Sequence, residues 1–152
     1  MNEETAHPGR AMGIDLGLRR VGISLSDEMR EMAHPLCVIE YAGADRLVDT
    51  LRHLAEEHRV ETFVVGIPIN MDGSSGEGAR RAIRLARKLQ KESGRNVVLC
   101  DERLTTSQAE REMITLGKSR RRRRMTLDEA AAVLILENYL RQDKLSRERE
   151  GQ

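Results

Sequence analysis

Aromatic side chains are almost missing from this chain, with no tryptophan, one phenylalanine (Phe63) and two tyrosines (Tyr41 and Tyr139) in 152 residues. That scarcity argues against a platform on which single-stranded bases stack. No apolar run approaches the ~20 residues that a membrane span needs, so no membrane association is expected. Only two cysteines occur, Cys37 and Cys100, each inside an apolar segment. They read as buried free thiols, with a disulfide or redox role as the alternative. The His and Cys spacings of a zinc site are absent too. The opening Met1–Arg10 is polar, contains Pro8 and has no apolar stretch. It reads as a loose tail rather than a signal peptide, and the cytoplasm is the expected address.

What the chain has in quantity is charge, at 34% of its residues. The net value of +1 hides a segregation, because Gly76 to Arg124 holds fifteen Lys or Arg against six Asp or Glu. About a third of the chain is therefore basic and the rest acidic, which favours a partner bearing many phosphates over a small metabolite. Arg120, Arg121, Arg122, Arg123 and Arg124 form an unbroken run after Lys118. The run repels itself and reads as a solvated loop for gripping phosphates, or as a solubilising loop with no ligand. The length suits one domain, expected at residues 11–141, between a flexible tail (1–10) and a charged C-terminal tail (142–152).

The pattern of apolar residues orders the elements. Met12–Leu16 is a short apolar strand, and Val21–Ser26 alternates apolar with small or polar residues, as a strand folding back antiparallel would. His34–Ile39 reads as a third strand, with Pro35 suiting a sheet edge. Leu47, Leu51 and Leu54 lie at helical spacing within Asp45–Glu57. Glu61–Ile67 is a continuous apolar run, as expected of a parallel strand covered on both faces, and Phe63 within it reads as buried. The next helix ends at Gly94, burying Ala79, Ile83, Ala86 and Leu89 and turning Arg80, Arg84, Arg87, Lys88 and Lys91 outward. A fifth strand, Asn96–Cys100, precedes two helices at about Ser107–Leu116 and Leu127–Arg141. The result is an α/β fold with a mixed five-stranded sheet and flanking helices.

Three acids fall where such a fold places chemistry. Asp15 sits on the first strand, where a carboxylate is costly unless a metal ion or charged partner offsets its desolvation; capping the turn before Gly17 is the alternative. Glu102 follows the fifth strand directly, at the carboxyl edge where open α/β sheets carry their sites. Asp128 lies in the first turn of the last helix, behind a Thr126/Glu129 capping box, where the helix dipole alone would favour it. Three carboxylates within about 5 Å repel by roughly 3 kcal/mol per pair at an effective dielectric near 20. Divalent cations relieve that repulsion, and two-metal phosphodiester hydrolysis needs such a set. Oxygen-only ligands point to Mg²⁺ or Mn²⁺.

Four ordered motifs carry a resemblance: Met12-Gly-Ile-Asp-Leu-Gly-Leu-Arg-Arg-Val-Gly-Ile-Ser-Leu-Ser-Asp27, Val65-Gly-Ile-Pro-Ile-Asn-Met-Asp-Gly73, Asp101-Glu-Arg-Leu-Thr-Thr-Ser107 and Asp128-Glu-Ala-Ala-Ala132. Together they resemble the YqgF (RuvX) family over about residues 11–141. The resemblance implies a ribonuclease H-like fold and a metal-dependent nuclease linked to maturation of the 5′ end of precursor 16S ribosomal RNA. It also implies kinship with Holliday-junction resolvases acting on branched DNA. Carried over, Asp15, Glu102 and Asp128 form the catalytic and metal-holding set. Arg19 on the hairpin turn and Arg103 are candidate phosphate contacts, with a solvated turn and a lock on Asp101 as their respective alternatives. Asn70, with Asp72 and Gly73, either positions a phosphate or water or forms an Asx turn. Two other classes stay open. One is a phosphotransferase, whose first phosphate loop also pairs Asp-x-Gly with a hairpin, although those enzymes need two such domains. The other is a non-catalytic nucleic-acid-binding assembly factor. A monomer or weak homodimer is expected; cutting two symmetric strands would call for the dimer.

Overall fold

In the computed structural model, the residues described are 8–69, 72–102 and 127–151. They build β1 (Arg10–Leu16), β2 (Arg20–Ser26), β3 (Ala33–Glu40), α1 (Ala44–His58), β4 (Val60–Ile67), α2 (Glu77–Ser93), β5 (Asn96–Asp101) and α3 (Leu127–Glu150). The strands form one sheet in the order β3-β2-β1-β4-β5. β1, β2 and β3 are an antiparallel meander, while β4 and β5 run parallel to β1. The carboxyl ends of β1, β4 and β5 therefore share one edge. Pro35 lies on the outermost strand, at the register shift opposite Ile23/Ser24, a position where a residue without an N–H is tolerated.

Period-two alternation sends successive side chains to opposite faces. Met12, Ile14, Val21 and Ile23 pack with Leu47, Val48 and Leu51 of α1 and Leu85 and Leu89 of α2. The opposite face is covered by α3, through Ile135, Leu136 and Leu140 against Ala11 and Val64. β4 is apolar from Phe63 to Ile67, where it runs between both layers, with Phe63 fully enclosed, while Glu61 near its start is exposed. On α2 the buried stripe is Ala79, Ala82, Leu85, Ala86 and Leu89, whereas Ile83 is only half-buried. The helix is thus rotated slightly from the expected register, since Ala82 and Leu85 face the core more squarely. Gly94 ends it in the left-handed conformation (φ 69°).

α3 runs on to Glu150 rather than ending near Arg141. Its last turns hold few apolar residues, so hydrophobic periodicity gives no signal there. Polar contacts support them instead, with Arg147 pairing Asp143 one turn back at 3.2 Å and Arg30 reaching Asp143 from the β2–β3 loop. Arg30 is only 7% exposed. It donates to the carbonyls of Pro8 and Gly9, to the Thr62 hydroxyl and to the Tyr139 hydroxyl. One guanidinium thereby ties the start of the chain, the sheet and α3 together. Of the cysteines, Cys100 is buried and Cys37 half-buried, and both are free thiols. Among the described residues no helix is long and apolar enough to cross a membrane. The expected helix at Ser107–Leu116 lies outside the described residues.

Candidate active site

The site grows from the absence of side chains beside Asp15. Alternation along β1 puts Asp15 on the α3 face, with Ala11 and Gly13. Its partner on β2 is Gly22. Across on β4, Ile14 aligns with Val65, so Gly66 is one step further along the same side. A Cβ at Gly22 would lie 2.3 Å from the Asp128 carbonyl oxygen. One at Gly66 would lie 2.5 Å from Ile135 Cδ1 and 2.9 Å from the Glu102 carboxyl carbon. The two glycines form a seat into which the start of α3 and the Glu102 side chain both settle. Ser24 pins the helix there, donating from its hydroxyl to the Ala132 carbonyl at 2.7 Å. Glu102 is held from the backbone, its N–H donating to the Ile67 carbonyl at 3.0 Å, which extends the β4–β5 pairing by one residue.

Asp15 and Glu102 share a hydrogen bond between their carboxyl groups. Burial is the main force raising the Glu102 carboxyl to about 8, followed by the negative charge of Asp15. Glu102 therefore holds its proton at neutral pH and donates it to the Asp15 carboxylate. Asp15 is itself raised by burial; the bond to Glu102 works against that rise, and the charge of Asp128 adds to it. Two acids that repel in the ionised state have settled into one shared proton. Asp128 approaches from α3, with its carboxylate 3.4 Å from Arg20 Nε. Among the described residues no three acidic, His or Cys side chains stand close enough to enclose a metal ion, so the three acids surround the seat without closing on one point.

Of the residues singled out from the sequence, Asp15 and Glu102 are in contact and Asp128 stands beside them, all at the carboxyl edge of the sheet. Arg19 is exposed on the β1–β2 turn, its carbonyl accepting from the Tyr41 N–H at 2.8 Å. Asp72 resolves into an Asx turn: one oxygen accepts from the N–H and hydroxyl of Ser74, which holds its carboxyl below the usual range. Asn70, Arg103 and Arg120–Arg124 lie outside the described residues. Sequence reasoning missed Arg20, although strand parity with Gly22 and Ser24 places it on the α3 face. It also missed Arg81, which bonds the Gly17 carbonyl at 3.2 Å and stacks over Tyr41, bracing the turn beyond Asp15 from α2.

A mixed sheet of this order, with acids at its carboxyl edge and on the closing helix, defines a ribonuclease H-like nuclease fold. Solved structures agree on the fold. RuvC of Thermus thermophilus, determined with a Holliday junction substrate, superposes with a TM-score of 0.60 at 16% identity, covering 89% of this chain and 96% of that one. The yeast mitochondrial Holliday junction resolvase Ydc2 gives 0.58 at 14% identity, covering 97% and 85%. The chain belongs to the RuvX family, described as Holliday junction resolvase, which it matches over residues 9–142. A relative from Geobacillus sp. (strain WCH70), named "Putative pre-16S rRNA nuclease", is 39% identical over 133 residues, or 86% of this chain and 96% of its own length. One of the same name from Halalkalibacterium halodurans is 38% identical over 138 residues, covering 90% and 99%. This membership sets aside the phosphotransferase alternative.

Proposed function

We propose that this protein is a metal-dependent nuclease that trims the 5′ end of precursor 16S ribosomal RNA in the cytoplasm, working as a monomer or weak homodimer. The observation that carries the reading is the contact between the Asp15 and Glu102 carboxyl groups, seated between two glycines in a chain about 40% identical to relatives named "Putative pre-16S rRNA nuclease". The all-oxygen donor set suits Mg²⁺ or Mn²⁺. Asp15, Glu102 and Asp128 would hold the ions, with Glu102 in its ionised form. When bound, the ions supply activation of water and charge neutralisation at the leaving oxygen. Arg20 orients Asp128 through their ion pair. Arg19, Asn70, Arg103 and the Arg120–Arg124 run would contact phosphates, so recognition rests on backbone charge rather than on base stacking.

The test is to incubate the purified protein with Mn²⁺ and a precursor 16S leader, beside a four-way DNA junction. Cleavage of the leader that Asp15→Asn abolishes, with the variant still folded, supports the reading. The family's description favours the junction as second substrate. Cutting confined to the junction would move the protein to recombination, and cleavage surviving in Asp15→Asn would refute the site.

A further inference from the structure

Charge is sorted by helix. α1 and α3 each carry two more acidic than basic residues, counting Asp, Glu, Lys and Arg, whereas α2 carries six basic and two acidic. Within α2 the sorting goes further. Arg80, Arg84, Arg87 and Lys91 are spaced i, i+4, i+7 and i+11, which places all four on one stripe, and all four are exposed. The stripe is about 16 Å long, at roughly 1.5 Å per residue. It starts at the carboxyl edge of the sheet, on the face opposite α3, because α2 follows the carboxyl end of β4; Arg81, beside its first residue, bonds the turn two residues beyond Asp15.

Glu77 shows what the stripe accepts. Its carboxylate sits between the first two arginines, one oxygen 3.2 Å from Arg80 Nε and the other 3.0 Å from Arg84 Nη2. An anion with two oxygens, fixed by two guanidiniums at the head of a basic track, occupies the kind of place a phosphate takes.

We propose that the Arg80–Arg84–Arg87–Lys91 stripe is a track for the sugar–phosphate backbone of an RNA duplex flanking the cleavage site, with Glu77 occupying its first phosphate position until RNA displaces it. The proposal rests on the nuclease reading for its choice of RNA, and the scarcity of aromatics favours a duplex over splayed bases. The stripe grips and positions the substrate and takes no part in the chemistry.

Binding is measured without metal, by fluorescence anisotropy on a fully paired RNA duplex across a salt series, so that it does not depend on cleavage. The probe is the wild type against a triple variant, Arg84→Gln, Arg87→Gln and Lys91→Gln, with thermal melts to confirm folding. Loss of three phosphate contacts should lower the slope of log affinity against log salt by about two to three. Glu77→Gln should bind more tightly than wild type, an outcome that general damage to α2 cannot produce. An unchanged slope in the folded triple variant, together with unchanged binding by Glu77→Gln, overturns the track. If the triple variant does not fold, the Glu77→Gln result decides alone. A stripe-dependent slope found on a DNA duplex and not on RNA overturns the assignment to RNA. Failure of the nuclease reading would show separately, as absence of cleavage by a protein whose stripe still binds duplex.

Discussion

Replacing Glu102 with Gln should make the metal-free protein more stable, although the residue stands at the centre of the site. An unperturbed Glu titrates near 4.5, whereas Glu102 is raised to about 8 by burial and by the charge of Asp15. Between those values the unfolded chain releases a proton that the folded chain keeps, so the stability of the wild type falls as pH rises through this window. Below 4.5 both states are protonated and above 8 both are ionised, so the effect is flat outside it. At pH 7 about 2.5 pH units of the window have been crossed, at about 1.36 kcal/mol each, which puts the upper limit of the loss near 3 kcal/mol. Glutamine keeps the shape and can donate to Asp15 from its amide, but carries no charge to desolvate. Thermal denaturation in EDTA at pH 5, 6, 7 and 8 should show the two proteins diverging with pH, by up to roughly 6–12 °C in melting temperature at pH 7. Mn²⁺ should then stabilise the wild type more than the variant, because the cation takes the place of the shared proton. Parallel pH profiles for the two proteins would refute the shared-proton account.

Three further outcomes follow from the geometry. Gly22→Ala places a Cβ against the Asp128 carbonyl, which is helix backbone and cannot rotate away, so α3 must shift. A cost of about 1–3 kcal/mol in urea melts is expected, together with reduced cleavage, as the shift carries Asp128 off the seat. Arg30→Met removes a buried guanidinium that serves two carbonyls and two hydroxyls; about 3–5 kcal/mol should be lost, with cleavage by the protein that remains folded unchanged. Arg20→Ala should alter stability by less than about 1 kcal/mol, because Arg20 is 67% exposed, yet lower the rate of cleavage at saturating substrate by freeing Asp128; an unaltered rate would remove Arg20 from the site.

Much of this protein is written locally. The continuous apolar run of β4, the alternation along β2 and the stop at Gly94 each depend on residues within one element, so their bounds could be read from the chain. The three acids could likewise be placed at strand ends and a helix start, and Pro35 at an edge. The arrangement at the site is different in kind. Whether Glu102 keeps its proton depends on how deeply α3 covers it and on Asp15, 87 positions earlier. Gly22 and Gly66 look like ordinary strand glycines until a helix more than a hundred residues after Gly22 is laid across them. Arg20 rather than Arg19 meets Asp128 because strand pleat, not sequence proximity to Asp15, decides which of two adjacent arginines faces the helix. The end of α3 escaped notice for a related reason: ion pairs and Arg30 hold its last turns, and neither leaves a periodic trace. Short-range pattern determined the elements and their order; desolvation and charge coupling, which exist only once distant segments touch, decided the chemistry of the seat.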